Sequence, residues 1–531
     1  MQAQPDENSV AVSNVAIKKL SLANAHEEAL QFKELQKNLV EQFEKYFPDK
    51  QAPKTVIIIP SLTMDSEILS KINGITHYEE RLLCLLLLLR MPRTHVVYVT
   101  SMPVDPVIID YYLHLLPGVT GYHAQQRLSL LSCYDASSRP LTEKILERPR
   151  LIERIQRSVP NGHATHMACF NVTELERTLA LRLNIPIFGC DPELFELGNK
   201  TNSRRIFKEC GIRLPEGFED LHTEEDIAKA LNDLKTKYPF LKKAVVKIND
   251  GFSGDGNAIF YYEGIDEQTE KQEWIKQQLS TGLKIIATDL SYELFIFKFQ
   301  HMGGIVEMFV EGDIKMSPSV QCRISPTGDC EVVSTHDQEL GGDSGQIFIG
   351  AHFPAHIDYA VEIGNMGRCV AENLKKRGVL GRFAIDFISV KEKGQWKHYA
   401  IEINLRKGGT THPFIMLEFL TDGVYDAEKG IYHTATGQTR YYFSSDNLKS
   451  EKYIGTTPHD LIDIAMFHEL HFDGALQEGV MFHLIGALSQ FGKLGVVCVG
   501  STRERVKMYY DRTVKILDLE CYHDFIPQAR I

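Results

Sequence analysis

The stretch Glu402-Ile403-Asn404-Leu405-Arg406-Lys407-Gly408-Gly409-Thr410-Thr411-His412-Pro413 decides the reading of this chain. It continues an apolar run, Tyr399-Ala400-Ile401, which follows Phe383-Ala384-Ile385-Asp386-Phe387 at the distance of a short hairpin. Side chains alternate along a strand, so Glu402 and Asn404, two positions apart, share one face. Asp386 adds a carboxylate from the neighbouring strand. Carboxylate and amide oxygens suit Mg²⁺, which keeps several waters and takes phosphate oxygens as further ligands. Asp386, Glu402 and Asn404 are therefore the expected metal ligands beside a nucleotide.

A second signal lies upstream. The apolar run Ala244–Ile248 carries Lys247 near its end and leads into Asp250-Gly251-Phe252-Ser253-Gly254-Asp255-Gly256, with another strand over Ala258–Tyr262. A glycine-rich hairpin tip offers backbone N–H groups to phosphate where side chains would collide. No Gly-Lys-Ser/Thr follows, so this is not a Walker A loop, and the next element is a strand, so it is not a Rossmann turn. Taken alone it reads more simply as a plain turn; Lys247, which needs a polar partner, favours phosphate.

Composition sets the frame. At 531 residues, 43% hydrophobic and 24% charged, the chain has the make-up of a globular protein of two to four domains. A net charge of −12 without a basic block argues against nucleic acid as a main partner. The ten cysteines form no C-x-x-C pair, which suits reduced thiols. The longest apolar block, Leu82–Leu89, is eight residues against the ~20 a membrane helix needs. With a polar, acidic start, the expected location is cytoplasmic, with no membrane partner.

Four segments follow from the patterning: a helical extension over 1–50, a parallel-sheet domain over 51–192, an α+β domain over 193–445 and a small α/β unit over 446–531. Leu30, Phe32, Leu35, Leu39 and Phe43 mark a helix over Ala23–Tyr46. Continuous apolar runs at Thr55–Ile59 and Val96–Thr100 flank a helix at Glu79–Leu89, and a closing strand is expected at Ile185–Gly189. Further strands are expected at Tyr292–Phe297, Ile305–Val310, Ser319–Ile324 and Glu331–Ser334, with a helix over Ala355–Arg377. His468-Glu469-Leu470-His471 is one residue short of H-E-x-x-H and is not read as a zinc site.

Lys200 in Gly198-Asn199-Lys200, the Lys247 strand with its glycine hairpin, Glu307-Met308-Phe309-Val310-Glu311-Gly312, Asp386 and the Glu402/Asn404 pair occur in ATP-grasp order. Residues 195–415 thus resemble the core of ATP-grasp carboxylate–amine ligases. The wider resemblance is to the pheganomycin-type peptide ligases. It rests on Pro60-Ser61-Leu62, Tyr78-Glu79-Glu80-Arg81, Asp110-Tyr111-Tyr112-Leu113, Ser317–Gln321, Ser334–Gln338, Arg406–Pro413 and Phe482-His483-Leu484. It implies an α/β and α+β multidomain fold: an ATP-grasp core after a parallel-sheet pre-ATP-grasp domain and before a small C-terminal domain.

The resemblance also implies roles. ATP and Mg²⁺, or Mn²⁺ in its place, would be the cofactors. Lys200, Lys247, Gly251, Ser253, Gly254 and Gly256 would meet phosphates; Glu307, Phe309 and Val310 would meet adenine. Asp313 would be the ribose acid, one position before the usual place, where this chain has Ile314. Arg382 or Arg406 would steady an acyl phosphate, and the plainer reading of Arg382 is an ion pair with Asp386. Arg323, His336, Lys407, Gly408, Gly409, Thr410 and His412 would line the substrate site. The substrates implied are an amino-acid-like carboxylate donor and an amino acid or peptide amine acceptor. A kinase without ligation and a non-catalytic nucleotide-binding scaffold are the competing classes.

Overall fold

The computed structural model describes residues 7–64, 66–251, 256–265, 270–287, 290–341 and 347–521. A long helix, Glu7–Lys45, precedes a parallel sheet whose strands run in the order Leu128–Ser132, Thr94–Thr100, Lys54–Ile59, Ala164–Cys169. Ile57, Ile59, Val97 and Val99 turn into a core that Phe32 and Leu35 of the long helix also enter. The opposite sheet face, with Val56, Ile58 and Val96, packs on Ile75–Arg90, a 3₁₀ helix rich in buried leucines.

One sequence expectation changes here. The strand anticipated over 185–189 shrinks to one bridge, Ile187 beside Met167. Pro186 has no N–H to carry the ladder further. Between the strands Leu128–Ser132 and Ala164–Cys169 lie helices Leu141–Leu146 and Pro149–Arg157, the second opening at a proline, which a helix tolerates in its first turn.

A five-stranded antiparallel sheet follows, in the order Gly217–Leu221, Gly304–Met308, Lys243–Ile248, Asn257–Tyr261, Leu283–Ile285. The strand expected over 292–297 is instead a helix, Tyr292–Met302. Ser291 caps its start, Gly303 ends it at φ 71°, and Phe295, Ile296 and Phe299 form a buried stripe at helical spacing. Aromatic and β-branched content suggested a strand; the period decides for a helix.

The largest element is an eight-stranded sheet ordered Gln395–Asn404, Gly381–Glu392, Ile314–Ile324, Cys330–Gly341, Ile347–Phe353, Tyr441–Lys449, Lys493–Gly500, Gly479–His483. The last two strands come from the tail, so the tail extends this sheet rather than standing apart, and a boundary at 445/446 falls inside Tyr441–Lys449. Residues 442 and 443 fill one core with 496–499, which ties the tail to the rest.

Helix Ile357–Lys376 covers one face of this sheet. Gly367 permits the approach: a Cβ there would lie 2.6 Å from Val320 Cγ1. We expect Gly367→Ala to lower the thermal midpoint, because overpacking costs ~1–3 kcal/mol and outweighs the ~1 kcal/mol gained in helix propensity. An unchanged or raised midpoint would show that the helix sits less tightly than described.

Candidate active site

The five-stranded and eight-stranded sheets face each other across a cavity of about 820 Å³. Its floor is built by strand register. Asp386 pairs with Glu402, and Phe387 with Ala400, leaving Ile401 as an extra bulged residue. Ile401 and Glu402 both reach the cavity as a result, together with Asn404. From the next strand, period 2 brings in Ser317, Ser319 and Gln321.

Asp386 and Glu402 form a crowded acidic pair. Gln338 Nε2 and Asn404 Nδ2 donate to the Asp386 carboxylate at 2.7 and 2.9 Å. Burial and then the Glu402 charge push Asp386 up to about 7. Burial works the same way on Glu402, but Lys200, Lys247 and Arg406 hold it below the usual carboxylate range. Two carboxylates that repel, with an amide between them, are the donor set a divalent cation relieves, and Asn404 needs only an amide turn to present its oxygen. The residues fit Mg²⁺.

On the five-stranded side, Lys200 opens helix Lys200–Glu209 and its Nζ lies 3.3 Å from Glu402. Lys247 Nζ lies 2.6 Å from Glu307, whose other oxygen accepts from Arg204 at 2.8 Å. Glu307 thus lines the cavity while engaged by two cations, and Met308, Phe309 and Val310 line it beside Glu307. Lys243 and Lys315 stand 3.9 and 4.6 Å from the Phe309 ring centre. Gly251 and Gly256 close this end, each almost against the other's backbone. Ser253 and Gly254 lie outside the described residues.

Other expected residues lie elsewhere. Asp313 is exposed and does not line the cavity; it sits in the turn before Ile314–Ile324, where its side chain faces solvent. Arg406 does line it, but Arg382 does not: it lies one turn of the pleat further, 3.9 Å from Glu418 rather than paired with Asp386. Arg323 pairs with Glu331 at the exposed end of the same sheet. His336 is core: its Nε2 is 2.7 Å from the Tyr442 hydroxyl beside Phe353, and burial pushes it down to about 3. Lys407 bonds the carbonyl of Cys169 and its N–H that of Phe170, fastening the first unit; burial lowers it to about 8. His412 lies behind the wall, 3.2 Å from Asp446. Gly408, Gly409 and Thr410 do line the cavity.

Sequence reasoning quoted Gln338, Tyr78 and Arg81 only within resemblance motifs, gave Gln338's side chain no contact with Asp386, and did not single out Phe170, Asp446, Asn447 and Lys493 of the far wall. That wall comes from the first unit and the tail, and no local period brings such distant segments together.

Two sheets face each other, with Asp386, Glu402 and Asn404 on one and Lys247 on the other, and Lys200 reaches in from a helix. A family model described as IQCH-like, ATP-grasp matches residues 192–289 and 290–428, and one for the PGM1 C-terminal domain matches 460–513. An L-propargylglycine–L-glutamate ligase of Streptantibioticus cattleyicolor is 28% identical over 464 residues, covering 86% of this chain and 92% of that one. IQ motif-containing protein H of Danio rerio is 22% identical over 399 residues, and the matched region spans only 38% of its length. Among solved structures, a biotin carboxylase of Campylobacter jejuni shares the fold at TM-score 0.52 and 13% identity over 88% of this chain and 94% of its own. The biotin carboxylase domain of Hydrogenobacter thermophilus 2-oxoglutarate carboxylase does so at TM-score 0.53 and 13% identity, over 87% and 89%. Residues 192–428 are thus similar to ATP-grasp proteins in sequence. Among the described residues, no helix is long and apolar enough to cross a membrane.

Asp386→Asn and Glu402→Gln should each keep the folded circular-dichroism spectrum while turnover falls by several orders of magnitude. Near-wild-type turnover in either variant would refute the metal assignment. Lys247→Met should weaken ATP binding in calorimetry by about 10- to 100-fold, the worth of one charge-assisted hydrogen bond. Unchanged affinity would make Lys247 only the partner of Glu307.

Proposed function

We propose that the chain is an ATP-dependent carboxylate–amine ligase that activates an amino-acid carboxylate as an acyl phosphate. The supporting observation is the division of charge in the cavity. Lys200 and Lys247 pair with Glu402 and Glu307 at the five-stranded side, and Arg406 comes from the floor strand just past Asn404. A second anion brought against ATP needs such a cation beyond the metal.

Mg²⁺ held by Asp386, Glu402 and Asn404 would neutralise the β,γ-phosphate oxygens as the phosphoryl group transfers. Lys200 and Lys247 hold the phosphates in line. The donor carboxylate oxygen bonds to the γ-phosphorus, the bond to the β,γ-bridging oxygen breaks, and ADP leaves. The acceptor amine then attacks the carbonyl, Arg406 steadies the oxyanion, and the C–N bond forms as phosphate departs with the amine proton.

The carboxylate donor is amino-acid-like and the acceptor an amino acid or peptide amine. L-Glutamate and L-propargylglycine, the substrates named for the bacterial relative, head the set to offer, followed by other L-amino acids in pairs. We expect ADP and phosphate as products, and a hydroxamate of the donor when hydroxylamine replaces the amine. AMP and pyrophosphate would mean an adenylate and refute the mechanism. Full ADP release with no amine of any kind, yielding a stable phosphorylated product, would make the protein a kinase.

A further inference from the structure

The far wall of the cavity carries two cations, Arg81 and Lys493, against one acid, Asp446. Arg81 and Lys493 belong to the first unit and the tail, away from the metal set and the phosphate-facing lysines. Both are built in. The Arg81 guanidinium lies 4.3 Å from the Tyr78 ring centre and 5.7 Å from that of Phe170. Its Nη2 is 2.7 Å from Asp446 Oδ2, while its Nε is buried with no hydrogen-bond partner. Lys493 Nζ donates to the Tyr78 hydroxyl at 2.7 Å.

Asp446 is itself fixed from behind. His483 Nε2 donates to its Oδ1 at 2.8 Å, and His412 Nε2 lies 3.2 Å from the same oxygen. Gly495 makes room for this ring: a Cβ there would lie 2.1 Å from His483 Nε2. The His–Asp–His group has the make-up of a metal site, but Arg81 occupies the second Asp446 oxygen, and both histidine Nδ1 atoms lack the outer partner that metal-bound imidazoles have. It serves instead to aim a guanidinium.

We propose that Arg81 and Lys493 bind the α-carboxylate of an amino-acid acceptor, a carboxylate that stays free when its amine is acylated. His412, His483 and Asp446 are positioning residues for Arg81. The inference rests on the ligase reading. An acceptor held by its carboxylate at this wall would point its amine back towards Arg406 and the activated donor. Carboxylate also suits a planar guanidinium with an unpaired Nε better than a neutral amide does.

The test uses the full-length enzyme, with L-propargylglycine and other L-amino acids offered as acceptors, each as free acid and as carboxamide. Hydroxylamine, which has no carboxylate, reports donor activation separately. The wild type should prefer free acid to carboxamide by about 10- to 100-fold in kcat/KM, carried mainly by KM. Arg81→Gln should abolish that preference and Arg81→Lys restore part of it; His483→Asn should reduce it. Should Arg81→Gln fail to fold, Lys493→Gln should lower the preference in the same direction. Equal use of acid and carboxamide by the wild type would overturn the inference, as would a preference intact in Arg81→Gln. So would hydroxamate formation with no free amino acid accepted. A donor KM with hydroxylamine that rises as much as the acceptor KM would move the anion to the donor and overturn the assignment. Absence of any hydroxamate in the wild type would instead count against the ligase reading itself.

Discussion

Everything at this site depends on two carboxylates being forced together by a strand register. Asp386 and Glu402 are cross-strand neighbours, and the bulge at Ile401 turns the second towards the cavity. Like charges at that separation are costly: burial and Glu402 drive Asp386 up to about 7. Two hydrophobic strands with well-packed backs hold them there. Ile385 and Ile403, on the opposite face, belong to the central core. A site that resists its own charges is a site prepared for a cation.

The cations around the pair are graded by position. Lys200 and Lys247 come from the helix and strand of the five-stranded side, and each touches an acid, Glu402 and Glu307. Arg406 follows Asn404 on the floor, and Arg81 and Lys493 close the far wall. The wall is assembled as Lys407 and the packing of Ile75–Arg90 on Thr411–Thr421 join the first unit to the floor, and as the tail strands extend the eight-stranded sheet. Substrate recognition and domain assembly are therefore one structural problem in this chain.

Much of the floor was legible in the sequence. Period 2 put Glu402 and Asn404 on one face, and the hairpin spacing placed Asp386 beside them, because register follows from alternation once one face is buried. Lys247 was visible as a polar residue closing an apolar strand. The misses have physical causes. Tyr292–Phe297 was taken for a strand because composition outweighed a short helical stripe capped by Ser291. His336 was expected to line the substrate site because nothing local reveals Tyr442, 106 positions away in the chain. Arg382 was placed by alternation on the right face, but alternation does not say where along a strand a cavity ends. Arg81, Asp446 and Lys493 meet only through tertiary structure and carry no spacing signal.

The central claim is that the Asp386–Glu402–Asn404 floor directs a phosphoryl group onto a substrate carboxylate. It is tested most directly by following oxygen. With the donor carboxylate labelled with ¹⁸O, and ATP, Mg²⁺ and an amine acceptor present, mass analysis of the released inorganic phosphate should show one ¹⁸O per turnover. Unlabelled phosphate formed alongside labelled amide product would mean that no acyl phosphate forms, and would contradict the account.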